Sequence, residues 1–221
     1  MPARLPIFPL PVVLFPGTPL PLHIFEPRYR RMLADCLDGD RRFGITPLAP
    51  DDAAPAPGTV GCAAEVRVNQ ELPEGRSNIV VLGAERFVVS RILEEGTPYF
   101  VAAVQPFEDR PGTAPAEERT ARLREQFSRY AALVRELGDA APLDLELPDD
   151  ALALSFHAAA GVELGAESKQ RLLAERSTAR RVEALLLVLP TLTTAAERAL
   201  VVHRRAHGNG RGHAHPGITT A

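Results

Sequence analysis

Lysine is almost missing from this 221-residue sequence: of its 25 lysines and arginines, only Lys169 is a lysine. That scarcity excludes chemistry. A P-loop needs G-x-x-x-x-G-K-[ST], with the lysine reaching the terminal phosphates, whereas Lys169 sits in "ESKQR" with no glycine loop before it. A Ser-Lys dyad would need the same residue. Its neighbour Ser168 is directed elsewhere on a helix, because adjacent helical residues do not share a face, and it reads as a helix-start residue.

Cysteine is scarce too. Cys36 and Cys62 are too few for a disulfide framework, and both read as reduced, packed thiols, one on a predicted helix and one on a predicted strand. Charge of one sign is also lacking. A formal charge of -3 and a pI near 6.1 provide no global field to hold nucleic acid or an anionic membrane.

Long unbroken apolar runs are absent. In the opening "LPIFPLPVVLFPGTPLPLHIFEPRYRRML", Pro6, Pro9, Pro11, Pro16, Pro19 and Pro21 interrupt every window that a signal peptide or a spanning helix would use. The other apolar run, "ALLLVL" at 184 to 189, is too short to cross a bilayer. The expected setting is the cytoplasm, with no membrane association.

Other catalytic letters fail on context. "GRSNI" lacks the second glycine of a nucleophile elbow, and "HRRAH" has arginine where a zincin needs its glutamate. "GNGRG" follows no strand, and His213 and His215 sit in a tail without apolar period. No catalytic residue, metal or cofactor is expected.

The opening is rich in large apolar side chains between its prolines. Leaving them in water would cost about 1.5 to 3 kcal/mol each, so they belong inside, in short strands punctuated by proline turns. "EPRYRRMLADCLDGD" then predicts a short helix starting at Pro27, with Tyr29, Met32, Leu33, Cys36 and Leu37 on one face. A strand is predicted over 41–46. From Thr59 to Phe107 the pattern is almost wholly β, with a hairpin at 72–78 and a bulge or bend at Gly83.

Composition shifts at "DRPGTAPAEERTARLREQF", where a Pro/Gly linker leads into helix formers. Leu123, Phe127, Tyr130, Val134 and Leu137 mark one helical face. Further helices are predicted at about 149–160, 167–176 and 178–206, the last split or kinked by Pro190. The fold class is α+β: a β-barrel subdomain over 1–110 with one short helix, a helical subdomain over 111–206, and a disordered tail over 207–221.

Taken together, the opening, "GTVGCAAEVRVNQELPEGRSNIVVLGAERFVV" and "ESKQRLLAERSTARRVEALLLVL" resemble, in that order, segments of the Lon protease N-terminal (substrate-binding) domain family. The resemblance covers roughly residues 5 to 190. It implies a PUA-like β subdomain followed by a helical bundle, in a stand-alone protein lacking the AAA+ ATPase and peptidase domains. It also implies a non-catalytic substrate-recognition or adaptor module, any link to proteolysis running in trans.

Such a module needs a partly exposed apolar surface, because unfolded clients are marked by exposed apolar segments. The candidate partner-binding residues are Phe15, Leu20, Leu22, His23, Phe25, Glu26, Arg28 and Tyr29. Glu26 is expected to cap the helix and Arg28 to pair with an acidic neighbour, while Arg86 in "AERFVV" reads as an ion-pair partner. The expected partners are unfolded or apolar peptide segments, or a protease or other protein complex. The alternatives are RNA or small-ligand binding by the β subdomain, suggested by Arg28, Arg30, Arg31, Arg41 and Arg42, and docking on a separate protease. Against RNA stand the acidic stretch from Glu108 to Asp150 and the lack of interleaved basic and aromatic residues. Oligomeric state is left open.

Overall fold

The structure, a computed structural model, describes residues 3–140 and 146–209. Six strands form one mixed sheet: β1 (Ala3–Leu10), β2 (Pro19–Ile24), β3 (Arg42–Pro47), β4 (Val60–Glu71), β5 (Ser77–Leu93) and β6 (Phe100–Pro106). Their order is β2-β5-β4-β3-β1-β6, and β6 returns to pair with β5, which closes the sheet into a barrel. The β1–β3 pair is parallel and the other pairs are antiparallel.

The barrel closes because β5 is long enough, at 17 residues, to serve two sets of neighbours. Ser77–Leu82 pair with both β2 and β4, while Phe87–Leu93 pair with β6. The irregularity expected at Gly83 is a register shift inside one strand, where Cys62 pairs with Arg86 and Ala64 with Gly83, rather than a break between two strands. There the β1–β2 loop crosses close to the backbone: Gly17 donates to the Gly83 carbonyl at 2.8 Å, and Gly83 donates to the Thr18 carbonyl at 2.9 Å. A Cβ at position 83 would lie 2.0 Å from the Phe15 carbonyl oxygen, so only glycine fits.

Adjacent strand residues face opposite ways, which sorts them into two clusters. Leu5, Ile7, Ala63, Phe87, Val89, Ala102 and Val104 form the smaller one. Their neighbours Phe8, Cys62 and Val101 face the larger one, together with Tyr29, Met32 and Leu33 of α1 (Pro27–Leu37).

The larger cluster continues without interruption into the helices α2 (Glu117–Leu137), α3 (Ala151–Gly161), α4 (Ala166–Ala174) and α5 (Thr178–Asn209). Leu123, Phe127 and Tyr130 of α2 are buried, on the face their spacing predicted. Asp150 caps α3 by accepting from the Ala153 amide at 2.8 Å. The two subdomains pack directly on each other: Phe15 lies 6.3 Å from Phe156, and the Gln170 side chain donates to the Val60 carbonyl at 2.8 Å.

Helix α5 differs from expectation in two ways. It runs through Pro190 as one 32-residue helix rather than splitting there, and it continues to Asn209, into the start of the expected tail. Positions 210–221 of that tail lie outside the described residues. Over Thr178–Arg205 it is also long and apolar enough to cross a membrane by length and composition, although its continuous apolar run is short. Val182, Leu185, Leu189, Ala196 and Leu200 are buried against the protein, whereas Leu187, Val201 and Val202 of the same helix are exposed.

Candidate binding site

The end of β1, the junction of β2 with α1, and the loop after β3 surround a groove of about 250 Å³. Leu48 of that loop is tied to β1 by its amide, which donates to the Leu10 carbonyl at 3.1 Å. Phe8, Leu10, Leu22 and Tyr29 supply apolar lining, and Phe25 and Leu48 stand at the mouth, 58% and 47% exposed. Phe25 stacks on His23, with ring centroids 5.8 Å apart, and the His23 Nδ1 lies 2.7 Å from the Asn78 Oδ1 on β5. An aromatic ring is thus held in water by a braced neighbour.

One side of the groove is charged. Arg28 donates from Nε to Glu26 at 3.1 Å and from Nη2 to Asp52 at 3.0 Å, and its guanidinium lies 4.6 Å from the centre of the Tyr29 ring. Burial works to lower the Arg28 pKa, but the bonds to Asp52 and Glu26 prevail and raise it, so the charge is fixed. Glu26 occupies the N-cap position of α1 with an extended backbone, yet its side chain makes no capping bond. The expected cap is thus replaced by the pair with Arg28.

Six of the eight candidate residues line this groove: Leu22, His23, Phe25, Glu26, Arg28 and Tyr29. Leu20 faces a second cavity on the other side of the β1–β2 loop. Phe15 is completely buried in the core, because the loop carrying it is drawn onto Gly83, and it reaches neither surface.

The catalytic candidates are separated by their own bonds. Ser168 accepts from Arg171 at 3.0 Å, whereas Lys169 donates to the Ala160 carbonyl at 2.7 Å. Among the described residues, no group of three His, Cys, Asp or Glu side chains could hold a metal.

A buried charge cluster joins barrel to helices. Asp109 pairs with Arg86 of β5 and, at 2.7 Å, with Arg181 of α5, and it accepts from Thr178 at 2.6 Å. Arg86 also donates to the carbonyls of Leu173 and Glu175 at 2.6 and 2.8 Å, and Arg181 to Glu175 at 2.7 Å and to Ser155 at 2.8 Å. One carboxylate cannot balance two guanidiniums. The carbonyls at the end of α4, the negative pole of its dipole, take the remainder. Phe156 lies 4.0 Å from the Arg181 guanidinium and 5.0 Å from that of Arg86. Sequence reasoning found Arg86 but missed Asp109 and Arg181, whose partners lie far along the chain.

The profile of the ATP-dependent protease La (LON) substrate-binding domain matches residues 4–190. The chain belongs to the Lon substrate-binding domain family. It is 29% identical over 196 residues to a Lon protease of Anaeromyxobacter dehalogenans, covering 86% of this chain and 23% of that protein. A Lon protease of Amoebophilus asiaticus is 24% identical over 184 residues, or 80% of this chain and 22% of the relative. The chain therefore spans about a quarter of the length of these Lon proteases, and the match falls on the substrate-binding domain rather than on the ATPase or protease domains.

Solved Lon domains share the fold. A Lon N-terminal domain protein from Xanthomonas campestris is 26% identical, with a TM-score of 0.58 over 84% of this chain and 98% of that one. The N-terminal domain of the Mycobacterium avium complex Lon protease has a TM-score of 0.62 at 15% identity, covering 87% and 98%.

Proposed function

We propose that this Lon-type domain recognises apolar peptide segments, with the β1–α1 groove as the binding surface. The observation that carries the reading is Phe25: an aromatic ring 58% exposed, braced by His23, above an apolar slot. Exposed rings held in place are efficient contact groups, because little side-chain freedom is lost on binding. β2 lies at one end of the strand order, and Pro19 and Pro21 within it have no amide protons to offer a visiting strand. Recognition is therefore by side chains in the groove rather than by strand addition. Arg28, Arg31 and Arg42 each face a carboxylate, which favours this reading over phosphate-backbone binding. A reducing, cytoplasmic setting is part of the proposal, in keeping with two free buried cysteines.

The sequence contains no tryptophan, so a tryptophan-bearing apolar peptide can be followed by fluorescence against a silent background. Saturable binding is expected, and Phe25→Ser weakens it about tenfold, equivalent to about 1.4 kcal/mol, while leaving the melting curve unchanged. Equal binding by the variant, or salt-sensitive binding to short RNA with none to peptide, would sink the proposal.

A further inference from the structure

Across the β1–β2 loop from the groove lies a second cavity of about 280 Å³, walled by Val12, Val13, Leu20 and Leu164. Lys169 lines it, bringing the chain's one lysine into an otherwise mostly apolar recess. An ammonium has three protons to donate, and the Ala160 carbonyl takes one of them at 2.7 Å. Glu163, on the surface nearby, attracts the same ammonium, but burial is the larger influence and holds the lysine below its ordinary pKa. A partly desolvated cation beside apolar walls favours a ligand that presents a carboxylate and an apolar group together. Ala166, the first residue of α4, also borders the cavity, and the start of that helix has no side-chain cap.

A terminal apolar residue has that chemistry, since its α-carboxylate and its side chain leave the same carbon. A side-chain carboxylate within a peptide instead brings its own backbone on both sides. The volume lies at the small end of ligand pockets, which suits a chain end. Pro11 borders both this cavity and the groove, so a peptide anchored here can cross the loop and lay its preceding residues by Phe25.

Resting on the peptide-binding reading above, we propose that this cavity receives the C-terminal residue of an apolar peptide. Its carboxylate bonds to the Lys169 ammonium, and its side chain packs on Val12, Leu20 and Leu164.

The test compares one tryptophan-bearing apolar peptide in three forms: free acid, C-terminal amide, and amide with an internal glutamate. The free acid is expected to bind about tenfold tighter than either amide, the scale of one charge-assisted hydrogen bond. Lys169→Met brings the acid down to the amide's affinity and leaves the amide unchanged. Because that variant also loses the Ala160 bond, Val12→Asp provides a second probe: it sets a carboxylate in the cavity wall without touching Lys169, and the same loss is expected. Equal affinity of acid and amide for the unaltered protein overturns the C-terminal assignment while peptide binding stands. An acid preference that survives Val12→Asp, or a glutamate amide as tight as the free acid, overturns it too. Failure of every peptide to bind overturns both readings.

Discussion

Replacing Asp109 by asparagine tests how the two halves of the protein are held together. The substitution keeps the shape of the side chain and removes its charge, leaving Arg86 and Arg181, 5% and 0% exposed, with carbonyls but no counter-ion. Breaking one partner of a buried ion pair costs about 3–5 kcal/mol, because the surviving charge stays desolvated. A domain of this kind is stable by only about 5–15 kcal/mol, so Asp109→Asn consumes a large share of the total. At about 2–4 °C per kcal/mol for a chain of this size, melting falls by about 6–20 °C.

The sign with pH follows. Burial pushes the Asp109 pKa up, but the bonds from Arg181 and Thr178 outweigh it and hold it below the ordinary 3.8. A depressed carboxylate pKa stabilises the fold fully above the unfolded value, and the contribution is lost as pH falls through the folded one. Urea titrations followed by circular dichroism at pH 7 and pH 3 measure both effects. Asp109→Asn is expected to be much weaker than the parent at pH 7 and closer to it at pH 3. A loss under about 1 kcal/mol at pH 7, the range of an exposed ion pair, would refute the reasoning and show that the helix carbonyls alone satisfy the two arginines.

Three further outcomes are expected. Gly83→Ala drives a Cβ into the Phe15 carbonyl at 2.0 Å, and backbone cannot yield as a side-chain tip can. It should therefore cost about 1–3 kcal/mol or more in urea, and an unchanged midpoint would contradict the close approach. Cys36 and Cys62 are buried and their thiols are pushed up to about 12. Alkylation at pH 8 should accordingly be slowed about a thousandfold against the urea-unfolded chain, which takes up two labels, and rapid labelling of the native protein would count against this burial. Arg171→Ala removes an exposed pair with Glu167 and an exposed hydrogen bond to Ser168, and should shift stability by less than about 0.5 kcal/mol, a control for Asp109.

Periodicity made the helices legible: the faces of α1 and α2 were readable from residues three and four apart. The strands between Thr59 and Phe107 were equally visible as β. The opening was harder, since prolines interrupt the alternation that would sort inside from outside. Phe15 and Phe25 look alike in sequence, yet one is wholly buried and the other more than half exposed. Their difference is set by Gly83, nearly seventy residues on, which draws the first loop inward. Asp109 was hidden for another reason. It begins a segment whose proline and glycine mark a linker, and nothing local distinguishes a linker aspartate from one that accepts two arginines. Its bond to Arg181 spans 72 residues, and no window of sequence contains both.

The continuity of the larger core has a consequence for synthesis. As the chain leaves the ribosome, the strands and α1 appear first, and the rest of the barrel side of the larger cluster is covered only when α3 and α4 arrive with Phe156, Leu172 and Leu173. Until then that face has only α1 for cover, and Arg86 lacks the carbonyls of Leu173 and Glu175 that complete its shell. A nascent chain paused before α3 would present a partly open apolar barrel face, the kind of intermediate that holding chaperones retain. A domain proposed to recognise exposed apolar segments thus passes through a stage in which it displays one of its own.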